Sequence, residues 1–345
     1  PATAAGDRRG PTASRRRSGE SRDKPAAVQV VVATHGHCFD GLASAVLFAR
    51  FFEAVRDPRA TFTYRCCGYG AKQPRPEGLL LGAQNAVLDY RYTQDPALSW
   101  YFDHHLTAFP AAGDLESYAA RSAGGQMFHD AGASSCTQLL AEVARARFGF
   151  VAPELEELVA WADRVDAARF DSPEAATDGT NPVMRLVAVV EHGGDAAFFS
   201  RMAPLLLARP LAEVAGSAEI TERYAPLGAR QDRVVERIRR VAERLGRVVL
   251  VDLTQAVTEG IGKFMTYALF PDTVYSVVVG LRRTDVNISV GYNPWSGAAR
   301  DADVSAICAR HGGGGHAVVG AVSFARREVA RARDIARSIA VELAG

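Results

Sequence analysis

The first strong pattern along the chain is "VQVVVATHGHCFDGLASAVLFARFF", residues 28–52. A run of β-branched residues stops at a polar turn and gives way to an Ala- and Leu-rich stretch with helical spacing, which predicts a strand, a loop and a helix. The apolar runs of "NAVLDYRY" and "LSWYFDHH" predict two more strands, ending in Asp89 and Asp103. Helix-length segments separate the three. Strands with acids or histidines just past their carboxyl ends predict an α/β fold on an open parallel sheet, with a ligand crevice at that edge. "ASSCTQLLAEVARARFGF" predicts a helix capped by Ser134 or Ser135, and "APELEELVAWADRVDAARF" another that carries Asp163 and Asp166 near its end.

The pattern then changes. A mainly helical span over 197–245 closes with "ARQDRVVERIRRVAERLG", strongly amphipathic and stopping at Gly246, and predicts a connector. Over 246–345, the short apolar runs "RVVLVDLT", "YSVVVGLRR" and "VNISVGYNP" alternate with two helical patterns, so a smaller C-terminal α/β domain is expected. Residues 28–196 form the first domain in this reading. Residues 1–27, rich in Arg, Ser, Pro and Gly, have too little to bury to offset the entropy of ordering, and are expected to be a flexible tail.

Composition narrows the chemistry. With 345 residues, 48 % hydrophobic and 23 % charged, the chain can bury two ordinary cores. A net charge of +1 supplies no global attraction for a polyanion, so contact with a phosphate or nucleic acid must be local. No apolar run is of membrane-spanning length and no signal-peptide core is seen, so the chain reads as cytosolic without a membrane partner. Five cysteines, only Cys66 and Cys67 of them close together, form neither a zinc-knuckle spacing nor a disulfide framework.

Two stretches carry candidate chemistry. Asp103-His104-His105 sets three metal-ligand side chains at a strand end. In "ARHGGGGHAVVG", Gly312, Gly313, Gly314 and Gly315 let backbone N–H groups approach an anion, and His316 adds a donor for a terminal phosphate or a base.

With "FDHH" at 102–105, "GGGGH" at 312–316, and "FDGLASAVLF", "VLDY", "ASS" and "ADRVDA" in order, the sequence resembles the DHH phosphoesterases with their associated C-terminal domain. The likeness runs from about residue 28 to 345. It implies a metal-dependent hydrolase in which Asp40, Asp89, Asp103, His104 and Asp163 hold the ions and His105 contacts the substrate phosphate or the hydroxide. An isolated Asp at such places is often a cap, and Asp166, one helical turn on, could substitute for Asp163. Two Mn²⁺ ions are expected, bridged by a hydroxide that attacks phosphorus.

The first motif departs from the family. Its usual His followed by two Asp separated by one residue reads "THGHCFDG" here: Asp40-Gly41 is present, Cys38 stands where the first Asp falls, and His35 and His37 flank the place of the family histidine and are expected as further metal ligands. Cys38 either costs the site a carboxylate, supplies a softer thiolate, or merely fills space, so Zn²⁺, Mg²⁺ or a single ion enters the reading. Arg282 and Arg283, at the end of an earlier strand, are expected to bind substrate, with Tyr292, Asn293 or Trp295 stacking or hydrogen-bonding in the following strand, where the family carries an arginine. The expected activity is hydrolysis of short oligonucleotides or nucleotides by a phosphodiesterase or phosphatase. Alternatives are hydrolysis of polyphosphate or pyrophosphate, and a nucleotide-binding sensor impaired through Cys38. A homodimer is compatible with each.

Overall fold

The structure is a computed structural model that describes residues 1–2, 6, 26–69, 73–258, 262 and 264–345. Most of the expected tail lies outside the described residues.

The opening pattern folds as read: β1 (Gln29–His35) runs into α1 (Phe39–Val55). Strands β2 (Thr61–Cys67), β3 (Gln84–Leu88) and β4 (Trp100–Asp103) follow, then α2 (Asp114–Ser122), β5 (Met127–His129) and α3 (Cys136–Phe148). The five strands form one parallel sheet in the order β2-β1-β3-β4-β5. Two of them, β2 and β5, were not expected. Helix α1 is buried on nearly every face because the sheet, α3 and two later helices, α4 (Glu156–Asp166) and α7 (Ala196–Ala208), surround it. Its Phe48, Phe51 and Phe52 meet Trp100 from the sheet edge-on, at centroid distances of 5.9, 5.5 and 6.4 Å. Each such side chain contributes about 1.5–3 kcal/mol by burial.

Short helices α5 (Pro173–Thr177) and α6 (Pro182–Ala188) lead to α7, and α8 (Leu211–Ala215) follows it; the first core continues through Ile220. Helix α9 (Ala218–Val241) then crosses to the second unit. Its Ile220 packs in the first core, whereas Val234 and Ile238 pack against Val249, Val251 and Leu253 of β7 (Val248–Val257). Residues 242–245, expected to be helical, form β6 (Ala242–Leu245), and Gly246 with φ 56° turns it into β7 rather than capping a helix.

The second sheet has the order β10-β11-β9-β8-β7-β6 and is antiparallel except for β7 with β8. Its remaining elements are α10 (Met265–Leu269), β8 (Tyr275–Leu281), β9 (Asp285–Tyr292), α11 (Val304–Ala309), β10 (Gly314–His316), β11 (Val319–Ala325) and α12 (Val329–Ala344). Strand β7 is apolar at successive positions because it is covered on both faces: Val248 and Leu250 face the core under α12, and Val249 and Val251 face α9.

Candidate metal centre

The carboxyl ends of three adjacent strands bring the site together. His35 ends β1, Asp89 follows β3, and Asp103 ends β4 with His104 and His105 after it; Asp40 lies in the first turn of α1 and Asp166 is the last residue of α4. Two residues at this edge have a left-handed backbone, His37 (φ 60°) and Asp89 (φ 51°), a conformation non-glycine residues adopt at a cost.

Asp40 is buried, and both its oxygens accept backbone N–H groups of the α3 N-terminus, Cys136 at 2.7 Å and Thr137 at 3.0 Å. The carboxylate is thereby fixed at the positive end of a helix. His104 Nδ1–H donates to the Ala133 carbonyl at 3.2 Å, which leaves the lone pair on Nε2. That atom lies 3.3 Å from Asp166, 3.7 Å from Asp89 and 4.0 Å from Asp40. Among the described residues, three overlapping groups hold their donor atoms within 4.8 Å of one another: Asp40, His104 and Asp166; Asp89, His104 and His105; and His35, Cys38 and Asp89.

Asp89 is 1 % exposed, yet neither of its oxygens, nor Nε2 of His104, has a hydrogen-bond partner, although all are buried. Native proteins rarely leave such atoms orphaned. Burial, then the charges of Asp40, Asp166 and Asp103, pushes the Asp89 carboxyl well above the usual carboxylate range. Burial also raises Asp40, against the hydrogen bonds of Thr137 and Cys136. A divalent cation fits this donor set, since it would satisfy the orphaned atoms and the clustered acids together. Burial, then the neighbouring imidazoles of His105 and His37, hold His35 below the ordinary imidazole value, favouring the neutral form a metal ligand needs. The Cys38 thiol is driven well up by burial and by Asp89 and Asp40, which favour its protonated form.

Asp103, expected as an ion ligand, stands at the same edge, beside His105. Fully buried, it accepts from Tyr101 Oη at 3.1 Å and from His105 Nδ1 at 2.7 Å, and it belongs to none of the three donor groups. It orients His105, and its hydrogen bond raises that imidazole above its ordinary value. His129 Nε2–H donates to the His105 carbonyl at 2.9 Å and steadies the same loop.

Other expectations are also redistributed. Asp163 turns away from the cluster to accept from Ser134 and Arg169, and Asp166 reaches His104 in its place. His37 is exposed and outside the donor groups. Ser135 rather than Ser134 caps α3. Arg282 and Arg283 do not sit beside the glycine run. They follow the carboxyl end of β8, whereas Tyr275 at its other end pairs with Tyr292, on the side where Gly314–His316 lies, so the two groups are about 20 Å apart by strand length. Asn293 is buried and donates to Pro271 and Thr273 carbonyls, Tyr292 donates to Ala298, and Trp295 Nε1 donates to the Phe170 carbonyl at 2.8 Å, so these side chains are engaged in holding the structure. Tyr101 and His129 were missed; the aromatic run before Asp103 was the visible signal for Tyr101, and nothing comparable marked His129.

A cleft of about 610 Å³ opens beside the centre between the two units, lined by His37, Val165, Phe170, Tyr224, Arg230 and Phe264 among others. Three aromatic rings and an arginine give it the means to hold a base and a phosphate.

A parallel sheet bearing this cluster, joined by a long helix to a mixed sheet with a glycine run, defines the class: the chain has the fold of the DHH phosphoesterases. Among solved structures it is similar to the pGpG-specific phosphodiesterase PggH of Vibrio cholerae, with a TM-score of 0.63 and 20 % identity over 92 % of this chain and 100 % of that one. It is also similar to Thermus thermophilus RecJ in complex with Mn²⁺ (TM-score 0.52, 14 % identity, 90 % of this chain and 52 % of that one) and to the DHH domain of a member of the S1P family of ribosomal proteins (0.51, 14 %, 91 % and 87 %). No family model and no curated protein matches the sequence. Among the described residues, no helix is long and apolar enough to cross a membrane.

Proposed function

We propose that the chain is a divalent-metal phosphodiesterase acting on short oligonucleotides or nucleotides. The observation that carries this is the set of buried, partnerless donors, both Asp89 oxygens and His104 Nε2, converging with Asp40 and Asp166 at the carboxyl edge of a parallel sheet. Asp40, Asp89, His104 and Asp166 would hold a hard ion such as Mn²⁺ or Mg²⁺, while His35 and Cys38, sharing Asp89, make a second position softer and open to Zn²⁺. When bound, such ions supply an activated hydroxide and neutralise phosphoryl charge. Asp103 holds His105 by Nδ1 and so favours the imidazolium, whose Nε2–H can be given to a phosphoryl or leaving oxygen. Asp40, clamped by the α3 N-terminus, cannot swing with the substrate. The cleft's rings suit a base, and a pGpG-specific phosphodiesterase among structures of this fold supports a small substrate.

The test is a substrate panel after stripping with EDTA: a linear dinucleotide, adenosine bisphosphate, cyclic dinucleotides and polyphosphate, each with Mn²⁺, Mg²⁺ and Zn²⁺, beside metal quantification. Dinucleotide cleavage at least tenfold faster than polyphosphate cleavage is expected. Turnover of polyphosphate alone, or of nothing with any metal, would overturn the reading.

A further inference from the structure

Helix α9 carries a charged stripe that the metal-centre reading does not use. Arg230, Arg233 and Arg237 recur at i, i+3 and i+7, the spacing of one helical face, and with Val257, Thr258 and Arg283 they line a cavity of about 510 Å³. Packing against the second sheet falls to Val234 and Ile238 on the adjoining stripe, so the arginines are not there to complete a core. Arg237 is pinned by neutral acceptors, Thr258 Oγ1 at 2.8 Å and the Leu253 carbonyl at 2.9 Å, which fixes its position and leaves its charge uncancelled. The nearby acids of the helix do not enter it: Glu236 pairs with Arg239 at 2.9 Å, and Asp232 is not part of the cavity lining. Among the described residues, no carboxylate lines the cavity, and neither Arg230 nor Arg233 has an acidic partner. Arg283 has contacts of its own.

Arg230 borders both this trough and the cleft that reaches His37 beside the metal centre, so the two concavities meet at one side chain. We propose that the trough takes the phosphodiester backbone of a single strand beyond the nucleotides at the metal centre, so that the substrates include oligonucleotides longer than two nucleotides. This rests on the phosphodiesterase reading and extends it. Arg230 to Arg237 spans about 10 Å of helix, about three stacked nucleotide steps. A chain whose net charge is only +1 can attract a polyanion through such a local concentration of charge and hardly otherwise. The trough adjoins the Arg283 end of the second sheet, away from the glycine run, so the two could not grip the same phosphate.

The experiment uses the full chain in EDTA, so that nothing is cut, and follows the fluorescence anisotropy of a labelled single-stranded pentanucleotide and a labelled dinucleotide between about 50 and 200 mM salt. Wild type, Arg233→Gln/Arg237→Gln and Arg233→Lys/Arg237→Lys are compared; both residues line the trough and neither lines the cleft beside the metal centre, and matching melting temperatures establish that the variants fold. Wild type is expected to bind the pentamer more tightly than the dimer. In the Gln pair, the pentamer weakens about tenfold and converges on the dimer, with a logarithmic salt slope smaller by about 1.4, whereas the Lys pair keeps most of the slope. A pentamer affinity and slope unchanged by the Gln pair, an equal loss for both lengths, or a wild type with no preference for the pentamer would each overturn the proposal. The panel with metal judges the phosphodiesterase reading separately: dinucleotide cleavage without arginine-dependent pentamer binding keeps the activity and removes the trough, and the reverse keeps the trough and removes the activity.

Discussion

Replacing Asp89 by Asn should stabilise the metal-free protein and abolish its response to divalent cation. Asp89 is 1 % exposed, has no hydrogen-bond partner on either oxygen, and shares its surroundings with Asp40, Asp103 and Asp166. Its folded carboxyl is held well above the unfolded one, so the native state binds a proton that the unfolded chain releases, and wild-type stability falls as pH rises from about 4 through the folded value. Asn has no proton to lose, so its advantage in EDTA grows across that window and vanishes below about pH 4. An uncompensated buried carboxylate costs several kcal/mol, and the unsatisfied Asn amide gives back about 1–3 kcal/mol of the relief, leaving about 2 kcal/mol at neutral pH. For a unit of about 200 residues that is roughly 4–8 °C in Tm. Mn²⁺ at a hundredfold excess over Kd should add about 2.7 kcal/mol to wild type and little to the variant. Thermal melts of both proteins from pH 4 to 8, with EDTA and with Mn²⁺, read all of this. An Asp89→Asn protein less stable than wild type in EDTA, and as responsive to Mn²⁺, would refute the reasoning.

Asp166→Ala should lower metal occupancy measured by plasma emission, whereas Asp163→Ala should keep it and cost about 1 kcal/mol of stability through its lost hydrogen bonds to Ser134 and Arg169. Cys38→Asp should shift the preference of the centre from Zn²⁺ toward Mn²⁺ in competition titrations, and an unchanged preference would remove Cys38 from the ligand set. Gly41→Ala should lower Tm and activity together, because a Cβ there would stand 2.6 Å from Thr34 Oγ1 and 2.8 Å from the His35 carbonyl; a cost of about 1–3 kcal/mol is expected in melts.

What the sequence disclosed followed from how local the signals were. Asp89 and Asp103 were legible because apolar runs stop at them, and a parallel sheet gathers strand ends. Strand β5, three residues long, is too short to show a period, and β2 alternates Thr-Phe-Thr-Tyr before a polar interruption that hid it. Asp163 and Asp166 lie within one turn of α4, and only the rotation of that helix, fixed partly by Arg169 drawing Asp163 outward, decides which reaches His104. That Arg282 and Arg283 lie at the sheet end away from the glycine run was not legible, because adjacency in sequence across β8 and β9 says nothing about which sheet end faces that run until strand register is known. The α9 arginines were visible as one side of an amphipathic helix, but their meaning depends on what packs opposite them.

Asp40 answers to two masters, and the consequence reaches past this chain. Because its oxygens hold the first two N–H groups of α3, with the Thr137 hydroxyl also donating to its carbonyl, losing Asp40 would unfasten a helix before it emptied a metal site. A descendant that had given up catalysis would therefore still be selected to keep an aspartate there. Asp89 and His104 Nε2 have no such second employment, so in any related chain it is these two, rather than the helix-bound carboxylate, whose loss would mark the point at which the chemistry was abandoned.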